Sequence, residues 1–206
     1  TAAQLETLKA RLAQRLAAAM RFMAERPAAL VLMHGVSGSG KSWLSERLVP
    51  AIGALRIRSD LERKRLSGAG DYAAAAVHLN YQRLAECAEA ALDGGCSVII
   101  DATFLERTHR DLFRALARRR HCGFLIVSCS ADAATLGARI DRRTGSGRDP
   151  SEATRAVLDH QLRTRQTLSA DEMPDVVTVD TSRLASADAA IVALRTQLTE
   201  LGCLPG

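Results

Sequence analysis

The stretch "AALVLMHGVSGSGKS", residues 28–42, joins an apolar run to a glycine-rich turn and then to a helical pattern. Gly35, Gly40, Lys41 and Ser42 satisfy G-x-x-x-x-G-K-[ST], the spacing of a phosphate-binding loop, or P-loop. Each residue type has a physical reason. Gly35, Gly38 and Gly40 let the backbone turn so that successive N–H groups, those of Ser37 and Ser39 among them, point inward at phosphate oxygens. A helix starting near Lys41 aims the positive end of its dipole at the same spot. Lys41 adds a mobile charge for the β- and γ-phosphates, and the Ser42 hydroxyl can ligate Mg²⁺. His34 and Trp43, on either side of the loop, read as packing residues.

Outward from this loop, short apolar runs alternate with helical stretches. The runs are 28–33, 53–57, 97–100, 123–129 and 175–179; the helical stretches lie near 41–49, 73–92, 106–119, 131–143, 151–168 and 186–201. Such alternation predicts a parallel sheet, and near-continuous apolar runs predict strands covered on both sides. The fold class is therefore α/β: a P-loop NTPase fold with a five-stranded parallel sheet, helices on both faces and a helical lid. Ligands in such folds bind at the carboxyl ends of the strands. Residues 28–206 form the expected domain, with the lid near 139–152. Before it, Leu5, Leu8, Leu12, Leu16, Met20 and Met23 recur at helical spacing until Pro27. This N-terminal helix, residues 1–27, either packs on its own domain or connects to something upstream in a longer chain.

Composition narrows the classes. The 206 residues carry a net charge of +5 and are 47% hydrophobic but only 3% aromatic. The charge permits an anionic partner without demanding one, and the shortage of aromatic rings counts against a platform that stacks single-stranded bases. The five cysteines include no C-x-x-C pair and no histidines at zinc spacing, which points to reduced thiols in a cytoplasmic protein. No apolar run approaches membrane length, so no membrane partner is expected.

Three further stretches carry chemistry. "SVIIDATF" (97–104) ends a strand in Asp101, where a carboxylate can hold Mg²⁺ directly or through water; Thr103 follows at the mouth of the same cleft. "IRSDLERKR" (57–65) places Asp60 after the second strand and Arg63 one helical turn later. Asp60 either activates an acceptor hydroxyl, with Arg63 supplying positive charge, or merely N-caps a short helix. "ARIDRRTGSGRDPSEA" (138–153) puts Arg139 and Arg143 on one helix face, breaks at "TGSG" and restarts at "DPSE", where Asp149 can cap, Pro150 suits the first helical position and Glu152 completes a capping box. This reads as a lid whose arginines neutralise the charge of phosphoryl transfer, or else as a solvated arginine face. The triplet "RRR" at 118–120 reads as such a face.

Together these residues resemble the P-loop kinases related to gluconate kinase, polynucleotide 5′-kinase and zeta toxins, over residues 28 to 183. The combination of "LMHGVSGSGKS", "IRSDLERKRLSG", "SVIIDATFLERTHRDLFRAL", "DPSEATRAVLDHQ" and "VDTS" is most similar to the ATP-binding domain of bacterial aminoglycoside phosphotransferase-like/ATP-binding fusion proteins. The resemblance implies that Asp60 is a general base, that Arg63 grips the acceptor, that Arg139 and Arg143 are lid arginines, and that Thr181 to Arg183 lie near the adenine. ATP and Mg²⁺ are the implied cofactors.

Three functions remain open on the sequence. The first is an ATP-dependent kinase of a small hydroxylated molecule, with Lys41, Asp60, Arg63, Arg139 and Arg143 in the catalytic set. The second is a 5′-kinase acting on a nucleic acid end. The third is an ATP-binding regulatory module with no separate acceptor. The chain lacks the N-K-x-D guanine-reading motif, which favours ATP over GTP.

Overall fold

Strand β1 (Ala29–His34) is the axis of the molecule: residues Ala29 to Met33 are each no more than 1% exposed. Its side chains alternate between two faces, as strand geometry requires. Ala29, Val31 and Met33 enter one apolar cluster with Leu44, Leu48 and Leu194, while Leu30 and Leu32 enter another with Leu84, Phe104 and Phe113. A strand buried on both sides cannot read as an alternating pattern, which is why 28–33 is apolar throughout.

The computed structural model describes residues 26–67, 74–146, 153–183 and 185–205. After β1 come α1 (Lys41–Ile52), β2 (Leu55–Arg58), α2 (Ser59–Ser67), α3 (Ala74–Asp93), β3 (Val98–Asp101) and α4 (Arg107–Arg119). Then follow β4 (Gly123–Ser130), α5 (Ala133–Ser146), α6 (Arg155–Thr164), a single 3₁₀ turn (Met173–Asp175), β5 (Val176–Asp180) and α7 (Ala185–Glu200). The five strands are all parallel, in the order β2-β3-β1-β4-β5. The loop after the central strand is therefore flanked by the carboxyl ends of β3 and β4, with β2 and β5 outside them.

The lid segment departs from its expected boundaries. The last described residue of helix α5, Ser146, falls within "TGSG", and the helix start is fixed by Asp132, whose Oδ1 accepts from Thr135 N at 2.7 Å. Helix α6 begins at Arg155, not at "DPSE": Thr154 is its N-cap, and its hydroxyl accepts from Val157 N. It ends at Thr164 rather than 168, because Gln166 turns its N–H to Leu105 O at 2.9 Å. Asp149, Pro150 and Glu152 lie outside the described residues, as do Arg148 at the expected lid tip, the first 25 residues with their leucine stripe, and Asp71 and Tyr72, expected to help wall the acceptor cleft. The "RRR" triplet is exposed, with Arg119 and Arg120 paired to Glu89 and Arg120 also to Asp93, as a solvated face should be.

One buried ion pair fixes the chain that leads into β5. Arg110 of α4 and Glu172 are each 1% exposed, and Arg110 Nε and Nη2 donate to the two carboxylate oxygens at 2.6 and 3.0 Å. Arg110 Nη1 also donates to Phe104 O at 3.0 Å, and Ser169 N donates to Glu172 at 3.0 Å. Burial works to raise the Glu172 carboxyl, but the bonds from Arg110 and Ser169 outweigh it and draw its pKa down to about 2. Replacing Arg110 by Met leaves a buried carboxylate without its partner and is expected to cost about 3–5 kcal/mol in urea unfolding. Because the folded pKa of Glu172 is depressed, its contribution is present above the unfolded value of about 4.3 and is lost as pH falls toward 2.

Candidate active site

The P-loop is shaped by close approach. Gly35 has φ 137°, and a Cβ there would stand 2.4 Å from Cys129 O on β4. Gly40 has φ 82°, and a Cβ there would meet Oγ1 and Cβ of Thr181 at 3.0 Å. A side chain at Gly35 would collide with backbone, and one at Gly40 would be strained and would press on Thr181. Gly35 N donates to Thr103 O at 3.0 Å, which ties the loop to the segment after β3.

Thr181, 4% exposed at the end of β5, is the outer brace of this loop. Its hydroxyl lies 2.9 Å from Ser39 O and 3.0 Å from Ser130 O. Arg139 of α5 completes the brace, with Nη1 donating to Gly38 O at 3.1 Å and to Thr181 Oγ1 at 3.0 Å, and Nη2 donating to Thr181 O at 2.7 Å. Arg139, expected as a lid arginine over the triphosphate, thus lines the cleft while bonding one loop carbonyl, that of Gly38, and Thr181. Arg143 falls on α5 one turn further on. Arg183 is exposed in the turn after Thr181. Lys41 Nζ donates to Val36 O at 2.8 Å, so its ammonium is folded back over the loop, and Ser42 lines the cleft beside it.

A cleft of about 1830 Å³ opens at the carboxyl edge of the sheet, and Lys41, Asp60, Arg63, Asp101, Arg139 and Thr181 all line it. Helix α2 begins at Ser59, so Asp60 stands one residue inside the helix rather than at its cap position. Arg63, 5% exposed, has Nη2 4.0 Å from Asp60 Oδ1. Burial raises the Asp60 pKa; Arg63 works against that, and the nearby Asp101 adds to it. Lys64 and Arg65 are exposed, which sorts the crowded charges of "IRSDLERKR" into a cleft pair and a solvent-facing group.

Several contacts of the cleft escaped the sequence reading. Asp101, with its side chain 4% exposed, accepts from Arg56 Nη2 at 2.6 Å, and Arg58 Nε lies 3.9 Å away. The carboxylate is thus already compensated by arginines from the neighbouring strand. The only sequence signal was two arginines inside an otherwise apolar run. Tyr81 stacks on His109 with centroids 3.8 Å apart, and its hydroxyl accepts from Phe104 N at 3.1 Å and lies 3.3 Å from Thr103 Oγ1. Asn80 donates to Ser59 Oγ at 2.8 Å; its buried Oδ1 has no hydrogen-bond partner among the described residues. His34 is held at the end of β1 by Ser128 Oγ, 3.0 Å from Nδ1, and burial pushes its pKa down to about 4, in keeping with a packing role. Trp43 packs at the edge of the first apolar cluster under the Arg47 guanidinium.

A family model described as "AAA domain" matches residues 30–168, from β1 through α6. The chain belongs to that AAA-domain family. Uncharacterized proteins of Mycobacterium tuberculosis and Mycobacterium bovis are 31% identical over 141 residues, 63% of this chain. The match spans only 28% of their length. Among solved structures, a gluconokinase from Sinorhizobium meliloti superposes with a TM-score of 0.63 at 23% identity, covering 84% of this chain and 97% of that one. A sugar kinase from Janibacter sp. gives 0.64 at 22% identity, with 84% and 95% covered. The Mycobacterium tuberculosis APS kinase in complex with AMPPNP and APS gives 0.65 at 21%, with 84% and 99% covered. This AAA-domain chain therefore has the P-loop fold of small-molecule kinases. Among the described residues, no helix is long and apolar enough to cross a membrane.

The brace behind the loop can be tested without a ligand. Thr181→Val keeps the volume but strips the hydroxyl from the carbonyls of Ser39 and Ser130 and from Arg139, and is expected to cost about 1–3 kcal/mol in chemical unfolding. Thr181→Ser should recover most of it.

Proposed function

We propose that this chain transfers the γ-phosphate of ATP to a hydroxyl group of a small molecule. The observation that carries the proposal is the placement of Asp60 in the cleft that the P-loop opens into, half-buried, with Arg63 behind it. A donor site alone would need only the loop. A second carboxylate with a raised pKa, held by a buried guanidinium in the same cleft, is what an acceptor hydroxyl requires.

In this reading the loop amides, Lys41 and Ser42 bind the phosphates, with Thr181 and Arg183 flanking the nucleoside. Asp60 takes the acceptor proton as the hydroxyl attacks, and Arg63 orients the acceptor. Arg139 acts by keeping the loop open in shape, and Arg143 belongs to the lid with the segment that follows. Ser42 and Asp101 offer the hard oxygen donors that suit Mg²⁺, an ion that keeps several waters and takes few protein ligands. Asp101 Oδ2 is engaged by Arg56, so Asp101 would offer the ion its other oxygen or a bound water, and Ser42 its hydroxyl. The ion supplies neutralisation of phosphate charge. The greater length of the mycobacterial relatives supports a further reading, that the domain works as one part of a longer chain.

Asp60→Asn should keep ATP affinity within about twofold by calorimetry and lower labelled phosphate transfer by about two to four orders of magnitude. Wild-type transfer should fall on acidification through an apparent pKa above the ordinary aspartate value of about 3.9, because burial raises that of Asp60. Full transfer activity in Asp60→Asn would remove Asp60 from the reaction. Transfer to oligonucleotide ends alone, with binding that weakens steeply in salt, would move the acceptor class to polynucleotides.

A further inference from the structure

Helix α6 presents Val157, His160, Gln161 and Thr164 to the cleft, positions related as i, i+3, i+4 and i+7 and so on one face. Of these, Gln161 reaches the P-loop itself. Its Oε1 accepts from Ser37 N at 2.8 Å, a contact between residues 124 apart in the chain. That N–H is one of the loop donors a phosphate would use, so a lid side chain stands where a ligand oxygen belongs.

The backbone that carries Gln161 is fixed on both sides. Leu158, one turn earlier, is buried with Val36 of the loop and with Leu136 and Ile140 of α5. Beyond the helix, Gln166 N donates to Leu105 O, and its side chain accepts from Arg107 N at 2.6 Å. What remains adjustable at position 161 is the side chain. A carboxamide carries an acceptor and a donor on the same carbon. Facing a lone N–H, only the oxygen fits. Facing a phosphate oxygen that has taken that N–H, the oxygen is repelled and the amide NH₂ fits. The exchange needs a half-turn about the last torsion, which is broad and roughly two-fold.

We propose that Gln161 is a phosphate-binding residue supplied by the lid helix. In the nucleotide-free loop its Oε1 satisfies Ser37 N–H. In the nucleotide complex its Nε2 donates to the terminal phosphate of the triphosphate, beside Ser37 N–H. The terminal phosphate is the one concerned because Ser37 lies at the end of the donor row away from the start of α1, whose N-terminus faces the inner phosphates. Gln161 thereby couples α6 to the presence of the group to be transferred. The proposal rests on the reading of the chain as an ATP-dependent kinase.

The test is calorimetric titration of the whole chain with Mg²⁺ and either ADP or a non-hydrolysable ATP analogue. Gln161→Ala should weaken the analogue about tenfold, the loss of one hydrogen bond to a charged group, and leave ADP within about twofold. Gln161→Glu keeps an acceptor for Ser37 N–H but cannot donate and repels phosphate. It should weaken the analogue further, by about a hundredfold, with the empty protein as heat-stable as wild type. Wild-type or tighter binding of the analogue by Gln161→Ala would show that the side chain only plugs the empty loop, and would overturn the proposal. Equal losses for ADP and analogue would overturn the assignment to the terminal phosphate. A wild-type chain that binds neither nucleotide would instead bring down the kinase reading beneath it.

Discussion

The site depends on a loop whose carbonyls are held from outside so that its amides can face inward. Gly40 lies against Thr181 and Gly35 against the backbone of β4, contacts that a single Cβ would disrupt. Thr181 and Arg139 then bond the carbonyls of Gly38 and Ser39. Turning a run of N–H groups toward one point leaves carbonyls pointing the other way, and buried carbonyls need donors. The hydroxyl at the end of β5 and the guanidinium from α5 are those donors. A cradle for phosphate is therefore a property of three elements far apart in the chain.

This arrangement also changes what the lid is. The base of the lid is packed onto the loop through Val36, Leu136, Ile140 and Leu158, and Arg155 pairs with Asp141 between the two helices. An apolar contact with the loop itself gives the lid helices a direct mechanical link to the phosphate site.

Much of the fold was legible because its determinants are local. The glycine spacing of 35–42, the doubly apolar β1 and the aspartates at the carboxyl ends of β2 and β3 all follow from near neighbours in sequence. The limits of α6 were not, because its start is capped by Thr154 and its end is set by a bond to Leu105 on another element. The bonds from Arg139 to Gly38 and Thr181 were not legible either, because helix periodicity shows which face a side chain occupies and not which carbonyl it meets. Arg56, Asn80, Tyr81 and Gln161 went unnoticed for a related reason. Each matters through a partner that is distant in the chain, and no motif spacing encodes such pairs.

The central claim is that two sites share one cleft, a donor site in the loop and an acceptor site at Asp60. The most direct measurement is the fate of label from γ-labelled ATP, followed with a panel of hydroxylated small molecules and with water alone. The account predicts label on an organic acceptor, at a rate well above release as inorganic phosphate, for at least one chemical class. Release to water at the same slow rate whatever acceptor is present would contradict it.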